Sequence, residues 1–396
     1  MAPSSPSAAA REVSRELFPE PEAQGPVPEP RHSTGILPSQ SLREMIRAGE
    51  IAAADPIAET QIQPASLDLR LGRKAYRVRA SFLPGPGAGV QEMVDALGMH
   101  EIDLAAGAVL ERGCVYIVPL KEHLKLGYRV TGFANPKSSS GRLDVFTRLI
   151  VDRASAFDRV EDNYAGPLYA EIAPRTFSVL VREGDTLNQL RIRRGSPRTT
   201  DTSLKRLQEE VTLVHGERAD ANIDHGIAVS VDLEGFDPSG LIGYRARRHA
   251  GLVDLAKVGH YEPEDFWEPI YRRHEPRLVL DPDDFYILAS REAVTVPPDH
   301  AAEMLPFNPL VGEFRVHYAG FFDPGFGYVG AGGQGARAVL EIRSREVPFV
   351  LEHGQTVARL IYERLTAEPD KIYGPEIGSN YQRQGLKLSK QFKRRD

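Results

Sequence analysis

The chain has 396 residues, 41% of them hydrophobic and 26% charged, with a formal net charge of −6 and one cysteine, Cys114. A single cysteine excludes an intrachain disulfide and any multi-thiolate zinc centre. The acidic balance argues against a nucleic-acid polymer as main partner, and no apolar run approaches the ~20 residues of a membrane span. Length alone sets an expectation of two to three domains at roughly 150 residues each. Met1 to Arg31 is rich in Pro, Ala, Ser and Glu and lacks the apolar core of a signal peptide. Residues 1–33 therefore read as a disordered N-terminal arm, and the expected setting is the cytoplasm.

Order is expected from residue 34. Ser39 or Ser41 caps a short helix over Leu42–Ile51, where Leu42, Met45, Ile46 and Ile51 fall near helical spacing. The stretch Ile62–Gly72 alternates apolar and polar residues, as a half-buried strand does. Strands follow at Val115–Leu120, Tyr128–Ala134, Leu149–Asp152, Leu168–Ile172, Phe177–Val181 and Thr186–Ile192, with turn residues between them. Many short strands and few helices point to a mainly β barrel or sandwich. Around Thr202–Val214, Leu204, Leu207, Val211 and Leu213 among charged residues suit a connecting helix.

Beyond it the layout returns. Ile227–Leu233 echoes Pro64–Leu69, and Arg277–Leu280 leads to Tyr286–Ala289 as Ala108–Glu111 leads to Cys114–Val118. Late in each half an apolar strand carries an acid, Glu171 in Leu168–Ile172 and Glu341 in Ala338–Ile342. Each is followed by a strand, a Gly turn and another strand. The sequence thus reads as a diverged tandem duplication of one β-rich domain.

Three stretches carry chemistry. In Asn135–Arg142, three serines stand between Lys137 and Arg142, so hydroxyls, backbone N–H groups and two cations could receive phosphate. Taken alone it equally fits a solvated serine loop. Glu171 sits inside an apolar strand, where an acid is solvent-facing, paired or functional. The glycine-rich Gly327–Gly335 lacks the Lys-Ser/Thr of a P-loop and precedes a strand, so a hairpin turn is expected. No His-x-x-x-His pair and no Gly-x-Ser-x-Gly elbow is present. Trp267 reads as a core anchor of the second half.

In this order the segments resemble the dCTP deaminase branch of the dUTPase-like superfamily, in the long two-repeat form of some bacteria. Ile62–Gly72 resembles the family's opening strand. Lys137–Leu143 resembles its Arg-Ser-Ser-x-x-Arg-Leu loop with Lys in place of the first Arg. Gly166–Glu171 resembles the strand ending in its catalytic glutamate, and Gly184–Leu190 its Gly-x-x-x-x-Gln-Leu turn. The second half keeps other parts. Asp323-Pro324-Gly325-Phe326 resembles the family's Asp-Pro-Gly-aromatic hairpin, and Glu341 stands in the glutamate position. Leu305–Leu310 replaces the serine loop, and Arg359 replaces the glutamine of the Gly turn. In the first half Glu161–Tyr164 stands where the Asp-Pro-Gly hairpin belongs.

The resemblance implies two tandem dUTPase-like distorted β-barrels. Residues 34–200 form the catalytic candidate, 201–225 a helical linker, 226–368 a degenerate second domain and 369–396 a nucleotide-capping tail. It implies metal-free deamination of dCTP to dUTP and ammonia. Glu171 is the expected proton shuttle, with Ser138 and Arg142 positioning the water. Lys137 and Ser139 would face the phosphates. Arg159 would contact the base and Gln189 the nucleotide, while Tyr381, Gln382 and Lys387 would close the site. No protein-held metal is expected; Mg2+ arrives with the triphosphate. A homotrimer or other homo-oligomer is expected. A composite site drawing on Glu341 and Asp323 stays open, as do a dUTP diphosphatase or bifunctional activity and a non-catalytic nucleotide-binding role.

Overall fold

Alternation builds the first half. Along Ala165–Pro174, Leu168, Ala170 and Ile172 are buried on one face, which leaves Tyr169, Glu171 and Ala173 for the other. The computed structural model describes residues 32–197, 199–215, 221–235, 238–306, 314–316, 320–328, 334–344, 346–374 and 385–394. The expected disordered arm up to residue 31 lies outside them. The strand Ala165–Pro174 pairs antiparallel with Val115–Lys125 and Val145–Val151. The sheet runs Gly98–Asp103, Lys74–Val78, Val115–Lys125, Ala165–Pro174, Val145–Val151, with Ile51–Ala53 added along Val115–Lys125. A second sheet runs Gly35–Ile36, Thr186–Arg194, Val130–Pro136, Arg159–Val160, and Leu67–Arg70 pairs with Thr186–Arg194.

The second half repeats this order, except that among the described residues no strand takes the place of Gly35–Ile36. Its larger sheet runs Trp267–Tyr271, Leu241–Ala246, Phe285–Val294, Ala336–Ser344, Phe314–Val316, and Val214–His215 takes the place of Ile51–Ala53. Its other sheet runs Ile227–Ser230, Thr356–Arg364, His300–Pro306, Phe321–Phe322. Register confirms the correspondence. Glu171 lies opposite Ile117, itself opposite Tyr76. Glu341 lies opposite Ile287, itself opposite Tyr244. The hairpins agree too: Gly325 has φ +94 and its counterpart Asn163 φ +58. Asparagine is among the few other residues that tolerate this left-handed turn.

Local expectations differ at their edges. The first helix is Ser39–Arg47, and Ile51 belongs to a strand instead. Pro64 cannot donate to a ladder, so the expected Ile62–Gly72 strand is reduced to Leu67–Arg70, with isolated bridges at Ile62 and Leu71. The connecting helix is Asp201–Glu210, with Thr200 Oγ1 accepting the Ser203 N–H at 3.2 Å. The helix Val90–Leu97 was not anticipated. Val90, Met93, Val94 and Leu97 have i, i+3, i+4, i+7 spacing, a signal present in the sequence. The helix packs against Val78, Phe82, Ile117, Ile150 and Tyr169, covering the Glu171 face of the first sheet. Of the glycine-rich stretch Gly327–Gly335, residues 329–333 lie outside the described residues.

The corresponding face of the second sheet is covered differently. Tyr244, Ile287 and Val339 join the core of the first half. Phe177 meets Phe266 and Trp267 edge-on at 5.5 and 5.4 Å. Trp267 is therefore an anchor of the seam between the halves, which corrects its expected place in the second half's own core. The seam is sealed further by parallel pairing of Val179–Val181 with Val253–Asp254. Phe177 is 1% exposed. The expected outcome for Phe177→Ala is a loss of about 3–5 kcal/mol in urea unfolding.

Candidate active site

The serine loop follows directly from strand chemistry. Asn135-Pro136 ends Val130–Pro136, because Pro136 cannot donate onward and holds Asn135 extended. The chain then makes one helical turn, Ser138–Gly141. Ser140 Oγ donates to the Leu187 carbonyl at 2.9 Å and Lys137 N–H to the same carbonyl at 2.8 Å, so the loop is tied to Thr186–Arg194. The Lys137 ammonium bonds Asp68 and, at 3.1 Å, Thr186 Oγ1. Asp68 is buried, which pushes its carboxyl up while Lys137 opposes the shift. Ser139, Ser140, Asp185, Thr186 and Lys390 line a cavity of about 150 Å³ beside the loop.

The second half faces this loop with one acid and one base. Glu341 and Arg343 project from one face of Ala336–Ser344, opposite Arg142 and Asp144. Arg142 Nε lies 3.9 Å from Glu341 Oε1, and both residues are about 95% buried or more. Arg343 pairs with Asp144, which also accepts from Thr176 Oγ1 at 2.6 Å. Burial pushes the Glu341 carboxyl up to about 8, against the opposing pull of Arg142 and with Asp144 adding to the rise. Arg142 Nη1 donates to the Lys387 carbonyl at 2.9 Å, so the C-terminal segment closes a third side. Asp323 pairs with Arg191 at 3.0 Å and is close enough to Asp68 to raise its pKa. Serine loop, carboxylate and C-terminal segment thus meet at one seam.

Family models match in two consecutive stretches. Residues 33–196 match the 2'-deoxycytidine 5'-triphosphate deaminase N-terminal domain, and residues 200–392 match the C-terminal domain of the same family. A crystal structure of 2'-deoxycytidine 5'-triphosphate deaminase from Agrobacterium tumefaciens is 54% identical, with a TM-score of 0.81. The match covers 84% of this chain and 100% of that one. The chain belongs to the 2'-deoxycytidine 5'-triphosphate deaminase family. Shorter relatives are similar to parts of it. A "dCTP deaminase, dUMP-forming" from Halobacterium salinarum is 34% identical over 27% of this chain, which spans 52% of that protein. One of the same description from Streptomyces coelicolor is 29% identical over 43% of this chain and 91% of its own length.

Against this family pattern, the expected site residues divide. The structure brings Lys137, Ser138, Ser139, Arg142 and Lys387 together. Gln189 joins them on the sheet floor, opposite both Asp68 and Asn135. Glu171 does not join them. Its side chain lies beneath the face covered by Val90–Leu97, and its Oε2 is buried without a hydrogen-bond partner among the described residues. Burial raises its pKa, and the nearby Ser81, Arg148 and Phe82 N–H each oppose the rise. The carboxylate that reaches Arg142 is Glu341. Arg159 is exposed, stacks 5.8 Å from the Phe133 ring and lines a separate cleft of about 680 Å³ with Asp152, Arg153 and Glu161. Tyr381 and Gln382 lie outside the described residues.

Asp68, Asp144, Arg343 and Lys390 were missed by sequence reasoning. A polar residue within each apolar strand was the available signal for Asp68 and Arg343, but only the cross-seam register reveals their partners.

The raised pKa of Glu341 has a thermodynamic consequence. A carboxyl held near 8 in the folded protein and near 4.5 when unfolded binds more protons folded than unfolded. Its contribution is therefore neutral below pH 4.5 and increasingly destabilising as pH rises towards 8. Glu341→Gln removes the charge. The expected outcome is a higher melting temperature than wild type at pH 8, with the gain vanishing towards pH 4.5 in a thermal-unfolding series.

Proposed function

We propose that the chain hydrolyses dCTP to dUTP and ammonia at a site composed from both halves of one chain, each half a dUTPase-like barrel. Residues 34–200 supply the serine loop and 226–368 the carboxylate. Residues 201–225 link them and 369–396 cap the nucleotide. The reading rests on one observation, the buried approach of Glu341 to Arg142. Hydrolysis at cytosine C4 requires a water to lose a proton, ring N3 to gain one, and ammonia to depart. A carboxylate with a raised pKa suits both directions of transfer near neutral pH. Glu341 takes one proton from water and returns it to N3. It then takes the second from the C4 hydroxyl of the tetrahedral intermediate and passes it to the amino group, so that the C–N bond breaks, the C4 carbonyl forms and ammonia leaves. Arg142 and Ser138 orient the water and balance charge on the tetrahedral intermediate. Burial at the seam strengthens each of these contacts.

Lys137 and Ser139 receive the triphosphate, which arrives with its Mg2+. Gln189 contacts the nucleotide, and Lys387 with Tyr381 and Gln382 closes the entrance. The reaction belongs in the cytoplasm with the nucleotide pool. Assembly into a homotrimer or another homo-oligomer would multiply sites already complete within each chain. Glu171, near Ser81 and Phe82, and Arg159, in its separate cleft, fall outside this mechanism.

Purified protein incubated with dCTP and Mg2+ tests the reading. Ammonia without pyrophosphate is the expected result. Pyrophosphate alongside ammonia would assign the dUMP-forming reaction named for the Halobacterium and Streptomyces proteins, and neither product would leave a nucleotide-binding protein. Glu341→Gln should lower kcat by about 100- to 10,000-fold, the usual contribution of a general acid–base group. Glu171→Gln should retain activity within about threefold, since its carboxylate does not touch the reacting atoms. A second measurement tests the composition of the site. Mixing Glu341→Gln chains with Arg142→Ala chains should restore no activity, because each chain carries one half of its own defect. Recovery on mixing would place the site between chains.

A further inference from the structure

Residues 385–394 return along the seam, and their backbone is held on both sides of Lys390. The Lys390 carbonyl accepts from Gly259 N–H at 2.9 Å and the Gln391 carbonyl from His260 N–H at 2.8 Å. Ser389 Oγ donates to the Ser139 carbonyl at 2.8 Å, and Gln391 Nε2 to the Leu255 carbonyl at 3.0 Å. Lys393 N–H reaches the Tyr261 carbonyl at 2.9 Å. Phe392 is 4% exposed. Its ring centroid lies 5.3 Å from Phe266, 6.0 Å from Trp267 and 6.3 Å from Tyr261. The first half's Phe177 stacks on Phe266 and Trp267 in turn. The segment is therefore a docked strap with an aromatic anchor.

We propose that Phe392 is a positioning residue for substrate, fixing the strap so that the Lys390 ammonium meets the triphosphate beside Lys137. The proposal rests on the deaminase reading and goes beyond it by assigning Lys390 as a phosphate contact and Phe392 as what aims it. Lys390 lines the 150 Å³ cavity together with Ser139, Ser140, Asp185 and Thr186. Burial and the neighbouring Lys137 pull its pKa down, while Asp68 and Asp185 oppose the shift. Two ammonium groups are thus crowded against serine and threonine hydroxyls, an arrangement that an oligophosphate relieves. Backbone bonds fix the Cα of Lys390, and the aromatic cage fixes the bonds. Little backbone freedom is left to lose on binding.

Steady-state kinetics of the full chain test this. Phe392→Ala should raise the KM for dCTP about tenfold with kcat within about twofold, the signature of lost ground-state binding. Lys390→Ala should do the same, and the double variant should be no worse than Lys390→Ala alone, because Phe392 acts through Lys390. Phe392→Leu, which refills the cage, should restore KM. Inhibition by deoxycytidine, which has no phosphate, should be unchanged. An unchanged KM overturns the proposal, as does equal weakening of deoxycytidine, which would mean that the whole seam has loosened. Should the wild type not deaminate dCTP, the deaminase reading fails on its own. Calorimetry with inorganic triphosphate then decides the strap, with about tenfold weaker binding by Phe392→Ala supporting it and equal binding overturning it.

Discussion

Two ion pairs of opposite sense cross the seam between the halves, Arg142 with Glu341 and Asp144 with Arg343. All four side chains are nearly inaccessible to water. Taking such charges out of solvent costs several kcal/mol per ion, and apolar residues of the same volume would often stabilise the protein better. Their value is geometric. Reciprocal charge fixes the strand Ala336–Ser344 in a single register against the serine loop, since a one-residue slip would turn Glu341 and Arg343 to the opposite face. That register places Glu341 where burial raises its pKa, beside the Arg142 that also holds the C-terminal strap through the Lys387 carbonyl.

The recurring strand order was legible because strand alternation and turn residues are local. Arg277–Leu280, noted for its likeness to Ala108–Glu111, is a strand, and the acid-bearing strands fall where their apolar runs place them. Which of Glu171 and Glu341 approaches Arg142 was not legible, because it depends on what covers each sheet face. Local pattern is the same for both: an acid within an apolar strand. One face is covered by the chain's own helix Val90–Leu97, the other by the partner half. Trp267 teaches the same lesson, since a large aromatic signals burial without naming which core receives it.

Divergence between the halves is complementary. The first half keeps Lys137, the serine loop and Gln189, where the second has Leu305–Leu310 and Arg359. The second keeps Asp323-Pro324-Gly325-Phe326, where the first has Glu161–Tyr164. Both retain the glutamate, but only the second copy approaches Arg142. In the proposed composite site each half supplies what the other lacks, and the resemblance of either half alone is accordingly incomplete.

The helix Val90–Leu97 has a further consequence. The contact between the halves is heterologous: a sheet face of one meets a different surface of the other. Contacts of that kind repeat from molecule to molecule and end in closed rings or open fibres. If the first half offered its own sheet face, it could accept a neighbouring chain as it is itself accepted, and growth would continue. With Val90 and Val94 buried against that face, the surface equivalent to the one used by the second half is taken up within the chain itself.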